Sequence, residues 1–253
     1  MTAKLILYWI CLGIAFRWKT NRKIVISHPP PLSILIAAHN AAASLRNLLG
    51  DLRKLTYPNE WEVIVIADRC KDETEELLQS SASTLPLRWA AVHEIPPEWQ
   101  PKKYALWKAT ELAKYSWCVL IDADVRLPPH WLSGLMAPMQ GKLAIIAPAW
   151  LEGKGGIGKI AAYEANLIQL EALGRAAMSY PYMATGRGWA IQRAWLKAGL
   201  FLWRGELSGD DDLTFQLIPK QKIGIASLAT FSPAPSTFWE ALHRKWRHLQ
   251  TAR

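Results

Sequence analysis

Two aspartates, Asp122 and Asp124, flank a single alanine directly after the apolar run WCVLI (117–121). Side chains two apart in an extended segment project to the same side, so both carboxylates can reach one site. Hard oxygen ligands placed in this way suit a magnesium or manganese ion that bridges diphosphate oxygens. The competing reading is a turn whose acids cap a helix starting near Pro128 and Pro129. A further acid, Asp68, ends the run WEVIVIA (61–67). A carboxylate at a strand tip can accept hydrogen bonds from a base or ribose, while Asp72 is placed to cap the next helix. Lys102, in PKKYAL, stands before a predicted helix where a cation can meet a diphosphate. Asp210, Asp211 and Asp212 are consecutive. Neighbouring carboxylates disfavour one another's charge, and one raised pKa suits a base that takes a hydroxyl proton near neutral pH. An acidic helix cap would use the same residues.

The elements that must position these acids follow from hydrophobic period. Continuous apolar runs at 32–38 (LSILIAA), 61–67 and 117–121 read as parallel strands buried on both faces. Leu45, Leu48, Leu49 and Leu52 recur at helical spacing between the first two, and acid-rich 72–80 reads as a second helix. A third strand over 87–93 and a third helix over 104–114 extend the alternation. Such a chain builds an α/β fold with a mostly parallel sheet flanked by helices and ligands beyond the carboxyl ends of its strands. Past Pro128 the pattern predicts a strand over 144–150, a glycine-rich loop, a long helix over 160–178, a helix over 190–198 and a basic final helix from Thr237. The glycine and lysine spacing of 153–160 is that of a phosphate-binding loop. Ile160 stands where Ser or Thr must meet magnesium, so a flexible loop near the site mouth is expected instead.

Taken in order, these segments resemble family 2 glycosyltransferases of the GT-A fold across roughly residues 32–250. Residues 32–40 are similar to the family's opening strand and loop, with Ala38 in place of its proline, His39 in place of an aromatic residue, and Asn40 following. The resemblance implies that Ala38, His39, Asn40, Asp68, Lys102, Asp122 and Asp124 bind the nucleotide-sugar donor. It implies that Asp122 and Asp124 hold a divalent cation, magnesium or manganese. Thr185-Gly186-Arg187-Gly188 resembles the loop before the acceptor-side helix, so Thr185, Gly186 and Gly188 are expected on that side. Asp210-Asp211-Asp212-Leu213 resembles the family's Glu-Asp-x-x-Leu stretch. That alignment puts Asp210 at the general-base position, Gly209 at its glutamate, and leaves Asp211 as the alternative base. Trp246 and Arg247 resemble an Arg-Trp element in reversed order. The implied activity is inverting sugar transfer with metal help.

Composition bounds the partners. The chain has 253 residues, 30 Lys plus Arg against 21 Asp plus Glu, net charge +9 and 14 Trp, several beside cations. That balance asks for an anionic partner. Nucleic acid fits poorly, because strand-tip acids repel its phosphates and no recognised DNA-binding motif is present. The apolar run 5–16 is followed by Arg17 and Lys19. As a helix it spans about 18 Å against a hydrocarbon core of about 30 Å, so an uncleaved anchor in one leaflet is expected. Residues 1–31 therefore read as a membrane-associating segment with a basic, proline-rich linker. Residues 32–253 read as the catalytic domain, with a donor half over 32–127 and an acceptor half over 128–253. Cys11, Cys70 and Cys118 offer no disulfide framework and point to a reducing compartment. The expected place of work is the cytoplasmic face of a membrane, acting on a lipid or terpenoid acceptor. A non-catalytic binding module on the same scaffold is the rival.

Overall fold

The computed structural model describes residues 8–10, 13, 28–207 and 209–251, without the side chains of 247–251. Most of the apolar segment and its linker therefore lie outside the described residues. Among those described, no helix is long and apolar enough to cross a membrane.

The three apolar runs form neighbouring parallel strands, β1 (Leu32–Ala38), β2 (Trp61–Asp68) and β4 (Trp117–Leu120). Their alternate residues feed two separate cores. Ile34, Ile36, Val63 and Val65 join Leu45, Leu48, Leu49 and Leu52 of α1 (Ala42–Leu52) on one face. Leu35, Ile64 and Ile66 join Leu106 and Ala109 of α3 (Pro101–Leu112) on the other. Burial on both faces is why these strands read as unbroken apolar runs rather than alternating ones. β3 (Leu87–Val92) adds the edge beyond β2 after α2 (Thr74–Ser81). Glu73, not Asp72, is the N-cap residue of α2, but the Asp72 carboxylate reaches the starts of two helices: one oxygen accepts from Thr74 N at 3.2 Å, the other from Ala42 N at 3.0 Å.

The second half follows as α4 (Trp131–Met136), β5 (Ala144–Ile146), β6 (Ala149–Glu152), α5 (Gly155–Ala177), β7 (Trp189–Gln192) and α6 (Arg193–Leu202). Then come α7 (Asp212–Gln216), β8 (Ile223–Ile225), β9 (Thr230–Pro233) and α8 (Phe238–Thr251). The main sheet runs β3-β2-β1-β4-β7-β5-β8, and β6 pairs with β9 apart from it. β7 is antiparallel to both of its neighbours, β4 and β5.

Three sequence expectations change here. The strand expected over 144–150 is two strands in different sheets, divided by Pro148, whose missing N–H cannot continue a ladder. Residues 189–192 are strand, because Trp189, Ala190 and Ile191 are fully buried between β4 and β5; the helix starts only at Arg193. The glycine-rich segment is not a loop. α5 begins at Gly155, and a Cβ on Gly153 would overlap the Gly158 carbonyl, so that glycine permits a backbone approach at the helix start.

One buried acid ties the first half to the loop behind Asp124. Asp51, at the end of α1, accepts from Arg126 Nε at 2.5 Å, Arg126 Nη2 at 2.9 Å and Leu127 N at 3.2 Å. The Arg126 hydrogen bonds hold the Asp51 carboxyl below the usual range against the cost of its burial. Asp51→Ala leaves Leu127 N without this acceptor and should cost about 1–3 kcal/mol. Chemical denaturation checks this, and an unchanged midpoint would remove the clamp from the account.

Candidate active site

Parallel pairing brings the tips of β2, β1 and β4 to one edge, and the reversed direction of β7 brings its leading turn to the same edge. The register sets Leu35 beside Leu120 and Ala38 beside Ala67, so Asp122 and Asp68 stand two strands apart. At about 4.8 Å per strand, that is roughly 10 Å. The predicted residues accordingly form two groups on one edge.

In the first group Asp68 is 4% exposed at the tip of β2. Arg69 covers its carboxylate, donating from Nε to Oδ1 at 2.8 Å and from Nη2 to Oδ2 at 3.2 Å. The His39 ring meets the Asp68 carbonyl through Nδ1 at 2.6 Å, and Asn40 Oδ1 accepts from Lys71 N at 2.8 Å. Asn40 and Arg69 both adopt positive φ, which turns the two strand tips toward each other. Ala38 is buried, and its carbonyl accepts from the Cys70 thiol.

The second group centres on Lys102, which lies in the first turn of α3 rather than before it, because Pro101 takes the opening helical position. Its Nζ stands 2.9 Å from Asp122 Oδ1 and 3.0 Å from Asp210 Oδ2. Burial opposes the lysine's charge, yet Asp122, Asp210 and Asp211 together raise its pKa well above the ordinary value. Burial likewise opposes the Asp122 charge, but Lys102, Arg187 and Arg244 hold that carboxyl below its usual range. Asp124 goes the other way, raised by burial and by the Asp122 charge. Neither aspartate of the pair caps a helix: α4 starts at Trp131 without a side-chain cap.

The turn 185–188 closes over this ion pair. Gly188 N donates to Thr185 O at 3.2 Å, and Gly186 N donates to Asp211 Oδ2 at 2.6 Å. A Cβ on Gly186 would stand 3.1 Å from Lys102 Nζ and 3.2 Å from Asp122 Oδ1, so the glycine leaves room for these charges. Gly188 is packed against Thr230 and Trp131, a structural contact. The Thr185 hydroxyl and Arg187 Nη1 are buried without a hydrogen-bond partner among the described residues.

The acidic triplet divides its labour. Asp211 is the N-cap of α7, with Oδ1 accepting from Asp212 N at 2.9 Å and Oδ2 taken by Gly186. Burial and the Asp210 charge push its carboxyl up to about 6. Burial and both neighbouring acids push Asp212 to about 8. The helix-cap reading of the triplet therefore applies to Asp211, while Asp210 faces Lys102.

Beside this group lies a cleft of about 430 Å³ lined by Asp124, Pro233, Ala234, Pro235, Glu240, His243 and Arg244. The final helix thus contributes His243 and Arg244 rather than the predicted Trp246, which is 61% exposed; the Arg247 side chain lies outside the described residues. Sequence reasoning also passed over Lys103. It is 2% exposed, and its Nζ donates to Trp203 O at 2.7 Å and Glu206 O at 2.9 Å, fixing the approach to Asp210. A lysine beside Lys102 on a helix start reads as solvated, and only the packing of residues 203–206 reveals it.

A mostly parallel sheet with strand-tip acids, a lysine between them and an antiparallel seventh strand defines a GT-A-type glycosyltransferase. The chain belongs to glycosyl transferase family 2, whose profile it matches over residues 33–200. Among solved structures it is similar to a mannosyltransferase from Pyrobaculum calidifontis in complex with GDP-Man and Mn2+, at 20% identity and TM-score 0.67, over 98% of this chain and 70% of that one. It is also similar to S. aureus TarS in complex with UDP-GlcNAc, at 15% identity and TM-score 0.58, over 87% and 66%. Glucosyl-3-phosphoglycerate synthase from Mycobacterium tuberculosis, in complex with Mn2+, UDP-Glc and glycerol 3-phosphate, matches at 19% identity and TM-score 0.52, over 92% and 78%. A search of the curated proteins finds no match.

The raised Asp212 carboxyl carries a stability prediction. Between about pH 4, where a free aspartate ionises, and about pH 8 the folded state keeps a proton that the unfolded state loses. This contribution to stability therefore declines as pH rises through that window. Asp212→Asn removes the decline, so the variant should gain Tm, and gain more at pH 8 than at pH 5. An equal shift at both pH values would place the charge elsewhere.

Proposed function

We propose that this glycosyltransferase moves a sugar from a nucleotide diphosphate sugar to a hydroxyl or phosphate of a lipid-soluble acceptor. It does so by a single displacement that inverts the anomeric carbon. The observation that carries this reading is the Lys102 ion pair, which sets a cation able to meet a diphosphate between Asp122 on the donor side and Asp210 on the acceptor side. Arg187 and Arg244 add positive charge around Asp122 and Asp124. The unpartnered Arg187 Nη1 is a ready donor to a phosphate oxygen. Asp68, His39 and Asn40 frame the place of base and ribose.

A divalent cation fits the donor set. Among the described residues no group of three acid, histidine or cysteine ligands is preassembled. Magnesium commonly takes one or two carboxylates and fills its remaining positions with water and substrate phosphate. Asp122 and Asp124 would hold such an ion. When bound, the ion would offset the charge of the leaving diphosphate.

The base is Asp210. Both oxygens of Asp211 already accept backbone N–H groups, whereas among the described residues Asp210 Oδ2 meets the Lys102 ammonium alone. Donor phosphates draw Lys102 away, and the freed carboxylate takes the acceptor's proton. The acceptor oxygen then bonds to the anomeric carbon as the bond from that carbon to the diphosphate breaks. The diphosphate charge is left facing Lys102 and Arg187. The lipid acceptor and a workplace at the cytoplasmic face of a membrane are supported by the basic balance, the Trp content and the apolar run 5–16.

A screen of nucleotide sugars with extracted membrane lipids, with and without manganese, tests the activity. Transfer with at least one donor is expected, and absence of both transfer and nucleotide diphosphate binding would overturn the reading. Asp210→Asn should lower kcat by about 10²–10⁴ with nucleotide binding retained, and Asp211→Asn should lower it less; the opposite ranking would move the base to Asp211. Asp124→Ala should abolish the response to added metal.

A further inference from the structure

Helix α5 is apolar on two sides. Its inner face buries Ala162, Ala172, Leu173 and Ala176. Its outer face leaves Ile157 at 42%, Ile160 at 70% and Ile168 at 47% exposure. Apolar side chains gathered on one exposed face, here beside the ion-paired Glu164 and Glu171, mark a surface that meets a partner. Helix α8 repeats the pattern. Phe238, Trp239, Leu242 and Trp246 fall together at the helical period of about 3.6 residues, and all four are exposed, Trp239 at 67% and Trp246 at 61%. The two faces adjoin, because Lys245 on α8 meets Glu164 on the outer side of α5 at 2.6 Å. A third element reaches the same side. The Tyr8 hydroxyl donates to Glu171 Oε1 and accepts from Arg175 Nε, each at 3.1 Å, and the two partners lie about two and three turns along α5 from Glu164. Tyr8 belongs to the apolar run 5–16.

We propose that the joined outer faces of α5 and α8 dock on an anionic membrane surface. Two features favour lipid over a second protein copy. Exposed Trp and Phe stand beside Lys245 along one amphipathic helix, the composition of an interfacial element. The chain carries net +9, complementary to anionic headgroups. Protein–protein interface cores, in contrast, are depleted of lysine. The proposal rests on the lipid-acceptor reading and deepens it. The opposite flank of α8 supplies Glu240, His243 and Arg244 to the cleft of Asp124. One helix, about 10 Å across, therefore separates the docked surface from the site. An acceptor hydroxyl raised from the bilayer need cross only that wall.

The test uses the full chain with vesicles of phosphatidylcholine alone and mixed with phosphatidylglycerol, read by co-sedimentation. Binding to the mixed vesicles is expected, weakening as salt rises. The double variant Trp239→Ala with Trp246→Ala should bind about tenfold or more weakly. Its Tm and its calorimetric affinity for UDP or GDP with manganese should be unchanged, since both side chains are exposed. Equal vesicle binding by the variant, or no binding by the parent chain, overturns the docking face. So does a parent dimer that the variant converts to monomer without any vesicle binding. Loss of nucleotide affinity in the parent chain, with vesicle binding intact, would sink the transferase reading and leave the docking face standing.

Discussion

The Lys102 ammonium between Asp122 and Asp210 is the constraint from which the remaining geometry follows. Two carboxylates brought this close would repel unless a cation lay between them, and the lysine supplies it. Its position in turn fixes the surroundings. A glycine at 186 leaves room for it, since a Cβ there would come within 3.1 Å of the ammonium and 3.2 Å of Asp122. The amide of that glycine is claimed by Asp211, which leaves Asp210 as the acid that faces the charge. Lys103, one residue on, is buried in the opposite sense and pins the chain that leads into the triplet. A polar cluster so interlocked is costly to assemble and correspondingly specific.

Much of the donor half was legible because its determinants are local. Strands covered on both faces appear as uninterrupted apolar runs, and the acids after them could be placed on one edge from strand direction alone. Asp122, Lys102 and Asp210 were named from the sequence, but their mutual contact was not. That contact depends on β7 running backwards, and residues 189–192 read as helix by period because a short strand buried on both faces has no alternation. The break at Pro148 and the helical glycines at 155 and 156 were hidden for the same reason: neighbours, not propensity, decided them. At the carboxyl end, the aromatic residue of the predicted pair proved to be outside the cleft. His243 and Arg244, about one helical turn earlier, line it instead. Rotation of a helix about its axis is set by packing, which a motif match does not see.

The site also shows where stability is given up. Asp211 and Asp212 are held in surroundings that penalise their charge. Arg187 is half-buried with one nitrogen lacking a partner among the described residues, its own charge disfavoured by burial and by Arg244. Groups in this condition cluster where a ligand of opposite character is to be received. The structural acids behave differently. Asp51 and Asp72 accept hydrogen bonds at both carboxylate oxygens and have lowered pKa values.

The reversed direction of β7 has a consequence for how such a domain can change over evolutionary time. Had that strand run with its neighbours, the turn bearing Gly186 would emerge at the far edge of the sheet, about 13 Å away for a four-residue strand. Reversal gives both halves of the domain a common rim. Everything between β6 and β7, including all of α5, becomes a detour that leaves the rim and returns to it. Such a detour can be lengthened, shortened or resurfaced while its two ends stay fixed. The segment most free to diverge is thus also the one that faces outward, so a descendant could trade one surface partner for another and leave its chemistry in place.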